Sequence, residues 1–406
     1  MKPSDYDKFL DPIQSELKAM ATLLESWSNV NSGSLNLAGL DAMLDLLTKH
    51  FSSLGAQIEI IALPEQDIID NKGLLAKQPL GRALRLKMRP EAPLQIFLGG
   101  HYDTVFAADH PFQKVRRLDE NTLNGPGVAD LKGGLIVMHK ALETLEKSPV
   151  AKNIGWEVLI NPDEEISSPG STPLFEEAAK RNHLGLVFEP SLADGSIVAK
   201  RKGSGNFAVV VHGRSAHVGR EAHLGRSAIL ALSEIIVELE ALNGALAGII
   251  VNVGQIEGGG SLNTVPNLAI GRFNVRYENK ACGDAMLAQI EKILAKARAK
   301  DGITAELHGS LNRTPKEVTD DIAKLFQILE TCAAAEGLKI TRRDTGGVCD
   351  GNTLAAAGLA NIDTLGVRGG GIHSEKEYVL LDSIVERTRL TARLLLGLAS
   401  GDVKWK

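Results

Sequence analysis

The stretch LQIFLGGHYDT, Leu94–Thr104, decides the fold. Leu94 to Gly99 is a short apolar run closed by glycine, the pattern of a buried strand. The chain then passes directly into His101, Tyr102 and Asp103, so the strand delivers an imidazole and a carboxylate at its carboxyl end. The same event recurs. Trp156 to Ile160 reads as a strand and runs into Asn161-Pro162-Asp163-Glu164-Glu165. Leu184 to Phe188 runs into Glu189-Pro190, and Asn361 to Leu365 is followed by Gly369-Gly370-Gly371-Ile372-His373. Helical patterns lie between. Leu40, Leu44, Leu47, Phe51 and Leu54 recur at helical spacing and stop at Gly55, ahead of a strand from Gln57 to Ala62. Leu135 to Leu145 has helical period, as does Pro173 to Arg181 with Thr172 as the expected N-cap. Buried strands alternating with helices predict a largely parallel sheet, whose ligand crevice lies at the carboxyl ends of the strands.

Near residue 202 the order changes. Phe207 to His212 reads as a strand, Arg226 to Leu242 as a helix and Gly248 to Val253 as a strand. Leu268 to Tyr277 is a strand, Asp284 to Lys300 a helix and Ile303 to His308 a strand. The order β-α-β-β-α-β is that of the ferredoxin-like split unit. After 310 come an amphipathic helix (Lys316 to Glu336), the strand Asn361 to Leu365 and a final helix from Leu381 to Leu398. The expected fold class is α/β, a mostly parallel sheet with flanking helices, plus an inserted ferredoxin-like α+β domain. Segments 1–201 and 311–406 form the larger domain, and 202–310 the insert.

Composition narrows the function classes. With 44% apolar and 23% charged residues, the 406-residue chain has ample material for a core. Lys plus Arg total 45 against 50 Asp plus Glu, a net charge of −5 that offers no global basic field for nucleic acid or an anionic membrane. No apolar stretch approaches the roughly 18 residues needed to span a bilayer. The opening MKPSDYDKFLDPIQSELKAM lacks the apolar region of a secretory signal. Three cysteines, Cys282, Cys332 and Cys349, exclude a disulfide scaffold and a Cys-rich zinc site. The expectation is a cytoplasmic protein without nucleic-acid or membrane partners.

A lone acidic residue after a strand is usually a turn or cap residue, and a single histidine in a glycine-rich loop is usually only solvated. Five such features together, built from His, Asp and Glu alone, are hard to reconcile with chance. The fifth is the loop GPGVADLKGG, Gly125–Gly134, which places Asp130 at the start of a helix. Mixed imidazole and carboxylate donors suit Zn²⁺, Mn²⁺ or Co²⁺, and the lack of sulfur argues against a structural site. Adjacent carboxylates, Glu164 and Glu165, allow one to ligate metal while the other accepts a proton. His110, His212, His223 and the cysteines carry no such signal.

The segments GGHYDTVF, NGPGVADLKGG, NPDEEISSPGS, FEPS, TGGVCDGN and GGIHSEKEYV together resemble the M20 metallopeptidase family, most nearly its glutamate carboxypeptidase branch. They occur in order between about residue 28 and the C-terminus. The resemblance implies a fold of zinc-exopeptidase type and two Zn²⁺ per chain, with Mn²⁺ or Co²⁺ as alternatives. It implies that one ion takes His101, Asp130 and Glu189 and the other Asp130, Glu165 and His373, Asp130 bridging the two. Glu164 matches the general base. Asp103 matches the carboxylate that orients His101, an arrangement that fixes the imidazole tautomer. A non-proline cis peptide at Asp130–Leu131 is also implied. The family often has a second acidic residue where Leu131 stands, and no ligand role is lost by that change.

The insert carries the rest. HGRSAHVGREAHLGRSAI resembles the family's lid motif and places His217 before a helix; QIEGGGSLNTVPNLAIGRFNVRYEN supplies Asn263 and Arg276. By themselves His217 is a solvated loop residue and Arg276 a sheet-surface cation. The resemblance implies that His217 polarises the substrate carbonyl or stabilises its oxyanion, from the partner subunit of a homodimer formed through the insert. Asn263 and Arg276 would hold the substrate carboxylate, a task that suits the rigid guanidinium fork. Arg313, in LNRTPKE, is a further candidate for a substrate side-chain carboxylate. The implied reaction is hydrolysis of an amide next to a free carboxylate, with a C-terminal amino acid such as glutamate leaving from a small peptide or N-acyl amino acid. N-acyl amino acid deacylases and dipeptidases share this machinery. A ligand-binding homologue without catalysis is the reading from another class, but every position that such a protein would have lost is filled. Hinge segments are expected near 202 and 310.

Overall fold

Six strands form the larger sheet in the spatial order Gln57–Ala62, Arg82–Met88, Gly155–Asn161, Gln95–His101, Leu184–Val187 and Asn361–Ile362. In this computed structural model, which describes residues 5–405, the last four strands run parallel and the first two antiparallel to their neighbours. Residues 1–4 and 406, the outer ends of the predicted segments, lie outside the described residues. The expected parallel sheet is thus mixed, with an antiparallel edge. Gly155–Asn161 is buried along its whole length and Gln95–His101 in all but its first residue, because helices cover both faces. Alternate side chains feed two cores. Ile96, Leu98, Val158 and Ile160 pack with helices Leu37–Phe51, Lys132–Glu146 and Asp382–Ser400. Phe97, Leu159 and Val187 face Phe175 of helix Thr172–Arg181 and Leu354 of helix Asp350–Ala356. The N-cap expected at Thr172 falls on Ser171, whose side chain makes no capping bond. Gly55 sits at φ +71, the left-handed C-terminal position its sequence predicts.

The insert is a four-stranded antiparallel sheet ordered Ile249–Gly258, Leu268–Tyr277, Gly203–His212 and Thr304–Arg313. That is ferredoxin-like order. Helices Ala228–Glu240 and Lys280–Arg298, capped by Ser227 and Asn279, cover one face and share a separate core with Val209, Val211, Phe273 and Val275. The last strand continues past the expected end at 310 to Arg313.

Two features tie the insert to the larger domain. Arg201, at the end of the strand Ile197–Arg201 that leads into the insert, and Lys316, three residues past the insert's last strand, exchange backbone hydrogen bonds at 3.1 and 3.0 Å. Both side chains converge on the buried Asp363 at 2.8 and 2.7 Å. A hairpin, Gln66–Ile69 and Leu75–Gln78, lies against the open face of the insert sheet, where Arg272 donates to the Ile69 carbonyl at 2.8 Å. No helix among the described residues is long and apolar enough to cross a membrane.

Candidate metal centre

His101 is the last residue of its strand and is 1% exposed. In the neutral tautomer whose Nδ1–H donates to the Asp103 carbonyl at 3.0 Å, Nε2 would keep its lone pair for a metal ion. Nε2 lies 3.2 Å from Asp130 Oδ1 and 3.8 Å from Glu189 Oε2. On the other side of Asp130, Oδ2 lies 3.3 Å from His373 Nε2, which is itself 3.1 Å from Glu165 Oε2. Each oxygen of one buried carboxylate therefore faces a different imidazole. Ligand atoms of His101, Asp130 and Glu165 fall within 4.8 Å of one another. Glu189 keeps a buried Oε1 without a hydrogen-bond partner. This donor set fits two divalent cations of the Zn²⁺ type. The Asp130–Leu131 peptide is cis.

The geometry gives Asp103 wider work than its sequence suggests. Its Oδ1 is 3.3 Å from His101 Nδ1, but the carboxylate also accepts the Glu164 and Glu165 N–H groups at 3.2 and 3.1 Å and the Ser34 hydroxyl at 2.7 Å. One fully buried side chain thus shapes both the His101 loop and the two-glutamate turn. Burial dominates the electrostatics. It pushes Glu164 up to about 8 against the pull of Arg313, and Glu165 to about 7 with Asp130 adding to the rise. It raises Glu189 well above the carboxylate range. Asp130 is the exception: hydrogen bonds from both imidazoles overcome burial and hold it below that range. The bonds to Asp130 and Glu165 in turn lift His373 to about 11. So many carboxylates in one buried place call for cationic charge.

The insert residues divide between two ends of its sheet. Arg276 pairs with Ser204, which pairs with Arg313, so both guanidinium groups lie at the end nearest Glu164. Arg276 is half-buried, feels the Glu164 charge and has a buried Nη1 without a partner. Arg313 is 1% exposed and already engaged: it donates to Asp350 at 2.8 Å, Glu164 at 3.1 Å, Ser168 at 2.9 Å and Thr353 at 3.1 Å. Protein acceptors take both terminal nitrogens of Arg313, and only its buried Nε is left without a partner, so the fork expected to meet a substrate carboxylate is already occupied. His217 and Asn263 lie at the other end. Beyond His212 and Leu268 the ladder continues through Gly213–Asn267, Ala216–Val265 and Val218–Asn263 hydrogen bonds. From Leu268 to Arg276 the strand advances about 26 Å at roughly 3.3 Å per residue. The expected pairing of Asn263 with Arg276 around one carboxylate is therefore not made within one chain. His217 is exposed and its Nδ1 accepts the Gly219 N–H at 3.2 Å, so a neutral ring presents Nε2–H outward.

Two residues near the centre carry roles that the sequence reading passed over. Asp350, in TGGVCDGN, accepts from Arg313, from Ser168 Oγ at 2.6 Å and from Asn161 Nδ2 at 3.0 Å. Glu377, in GGIHSEKEYV, binds the loop that carries Asp130. Both stand inside quoted motifs, which was the available signal.

Comparison with known proteins finds matches over most of the chain. The model of Peptidase family M20/M25/M40 matches residues 97–397. Carboxypeptidase G2 of Pseudomonas sp. (strain RS-16) is 26% identical over 394 residues, covering 95% of this chain and 91% of its own. A succinyl-diaminopimelate desuccinylase of Gluconobacter oxydans is 27% identical over 316 residues, covering 73% of this chain and 80% of its own. Among solved structures, the di-peptidase Dug1p of Saccharomyces cerevisiae superposes with a TM-score of 0.77 at 14% identity, over 98% of this chain and 99% of its own. The M20 family metallo-carboxypeptidase Sso-CP2 of Sulfolobus solfataricus gives a TM-score of 0.70 at 18% identity, over 93% and 98%.

Proposed function

The chain belongs to the M20/M25/M40 peptidase family of metal-dependent hydrolases, and we propose that it uses two divalent metal ions to cleave an amide bond next to a free carboxylate. The observation that carries this reading is the position of Asp130, with one carboxylate oxygen turned to His101 and the other to His373. His101, Asp130 and Glu189 would hold one ion, and Asp130, Glu165 and His373 the other, with zinc the favoured metal. When bound, the ions would supply Lewis acidity and lower the pKa of water.

The chain's own residues do the rest. Glu164 accepts the proton of the attacking water and returns it to the leaving amine nitrogen as the C–N bond breaks. Glu164 lies beside the donor set with Arg313 at 3.1 Å as its cationic neighbour, a setting in which a carboxylate can take a proton and give it back. The unpartnered Nη1 of Arg276 is the donor best placed for the substrate carboxylate. Arg313 is assigned here as a strut between Asp350 and Glu164 instead of a substrate contact. The Nε2–H of His217 suits the developing oxyanion. The strand that separates His217 and Asn263 from Arg276 favours their action in the site of a second copy. The insert has an apolar edge for such a homodimer: Leu230 and Val237 are 61% and 69% exposed on helix Ala228–Glu240, beside Ile250 and Ile256 on the edge strand. Residues 1–201 and 311–406 are read as the catalytic unit and the segment between as the lid.

Release of a C-terminal amino acid is favoured by the carboxypeptidase relative, and N-acyl amino acid deacylation by the desuccinylase relatives. With added zinc, a panel of folyl- and peptidyl-glutamates, N-acetyl and N-succinyl amino acids and dipeptides should reveal hydrolysis of at least one carboxylate-bearing amide. Inertness towards the whole panel would contradict the proposal.

A further inference from the structure

Glu377 stands four positions after His373 and is 1% exposed. Its carboxylate accepts three backbone N–H groups from one loop: Gly127 on Oε2 at 3.0 Å, and Ala129 and Asp130 on Oε1 at 3.0 and 3.1 Å. Its backbone carbonyl accepts the Gly125 N–H at 3.2 Å and Asn124 Nδ2 at 2.7 Å. The next residue, Tyr378, pairs with Asn124 across the small sheet. The Asn124–Asp130 loop is therefore wrapped around one side chain. Gly127 helps by taking φ +72, which turns its N–H inward with the others. Convergent backbone N–H groups of this kind form a concavity for an anion, and here the chain fills it itself.

The geometry points to Glu377 as the positioning residue of the metal centre, fixing the Asp130 loop to the segment that carries His373. This rests on the reading of Asp130 as the bridging ligand. A bridging carboxylate must suit two ions at once, and coordination distances tolerate only about 0.2 Å of error. A loop containing Gly125 and Gly127 has no intrinsic stiffness of that order. Glu377 supplies it through three bonds to the loop, and through its own chain sets Asp130 in register with His373. Glutamine is nearly isosteric but has only one acceptor oxygen. Its NH₂ must oppose either the Gly127 N–H or the Ala129 and Asp130 pair. At least one loop N–H then loses its acceptor.

The test is zinc titration of metal-free protein against a chromophoric chelator, with no catalysis involved. Glu377→Gln is expected to bind zinc about 10- to 100-fold more weakly than wild type, the range typical of lost outer-sphere partners. Asn124→Ala, which removes one of the two donors to the Glu377 carbonyl, should weaken binding in the same direction. Glu157→Gln serves as the control for a buried carboxylate elsewhere on the sheet, where Arg181 binds it at 2.7 Å. It should leave zinc affinity unchanged. Wild-type affinity in Glu377→Gln, or an equal loss in Glu157→Gln, would overturn the role of Glu377. Should Glu377→Gln fail to fold, unchanged affinity in Asn124→Ala would overturn it equally. Wild-type protein that takes up no zinc would contradict the metal reading itself, and this inference with it.

Discussion

Asp103 reaches Glu164 through the backbone: its Oδ1 accepts the Glu164 N–H at 3.2 Å and leaves the Glu164 carboxylate to Arg313 at 3.1 Å. The proposed general base is thereby held without its own oxygens being spent on Asp103. Glu164→Gln should reduce turnover by orders of magnitude, because an amide cannot accept the water proton. Metal content should stay at the wild-type level, since Glu164 is not among the assigned ligands. Activity assays beside elemental analysis check this, and retained turnover would refute the assignment.

The separation of His217 from Arg276 along the insert sheet leads to a complementation experiment. His217→Ala and Glu164→Gln should each be nearly inactive alone. Mixed and reassembled, they should recover activity, because a heterodimer contains one site with both residues intact. Light scattering should find dimers at micromolar concentration. Inactive mixtures that do exchange subunits would count against action in trans.

Arg276→Ala should raise KM much more than it lowers kcat if the guanidinium binds the substrate carboxylate in ground and transition states alike. Arg276→Lys should recover only part of the loss, since an ammonium lacks the planar fork. A large fall in kcat at constant KM would assign Arg276 a different role.

Asp363 is the sole carboxylate among the side chains of Arg201, Lys316 and Asp363 at the base of the insert, and the two cations hold it below the ordinary range. Asp363→Ala would leave both cations buried without it. The expected loss is about 3–5 kcal/mol of unfolding free energy, measurable by denaturant titration. A loss below about 1 kcal/mol would show that water replaces the carboxylate.

Acid stability should report on His139. Burial pushes its pKa down to about 3, with the charge of His50, its ring tilted against His139 at 3.9 Å between centroids, adding to the fall. The unfolded chain takes up this proton near pH 6.5 and the folded chain only near 3, so stability is intact above the first value and drains away towards the second. The slope is up to about 1.4 kcal/mol per pH unit for one proton. Glu143 faces His139 as an opposing acid, while Lys140 reinforces the shift. His139→Gln should flatten the pH dependence of unfolding between about pH 4 and about pH 6 by nearly one proton. An unchanged slope would mean that His139 is already protonated in the fold.

Strands buried on both faces were easy to read, because Gln95–His101 and, but for Glu157, Gly155–Asn161 are largely apolar runs that lead into His, Asp and Glu. Elements with weaker patterns were not. Arg82–Met88 interleaves Arg85 and Lys87 with leucines, and the hairpin Gln66–Ile69 and Leu75–Gln78 contains no buried residue. Both escape a rule that looks for apolar runs. The ligands at the strand ends were legible as residue types, but their partition between ions rested on family resemblance. Sequence order placed Asn263 and Arg276 in one quoted segment, and the extended strand between them is what moves them apart. Glu377 acts through backbone N–H groups, which leave no mark in residue identity at the loop they hold.

The central claim is that Asp130 joins two metal ions. Zinc titration of metal-free wild-type chain, read by isothermal calorimetry and elemental analysis, tests it most directly. The account predicts two equivalents bound per chain, with Asp130→Ala weakening both. A single equivalent at saturation, or two that survive Asp130→Ala unchanged, would contradict it.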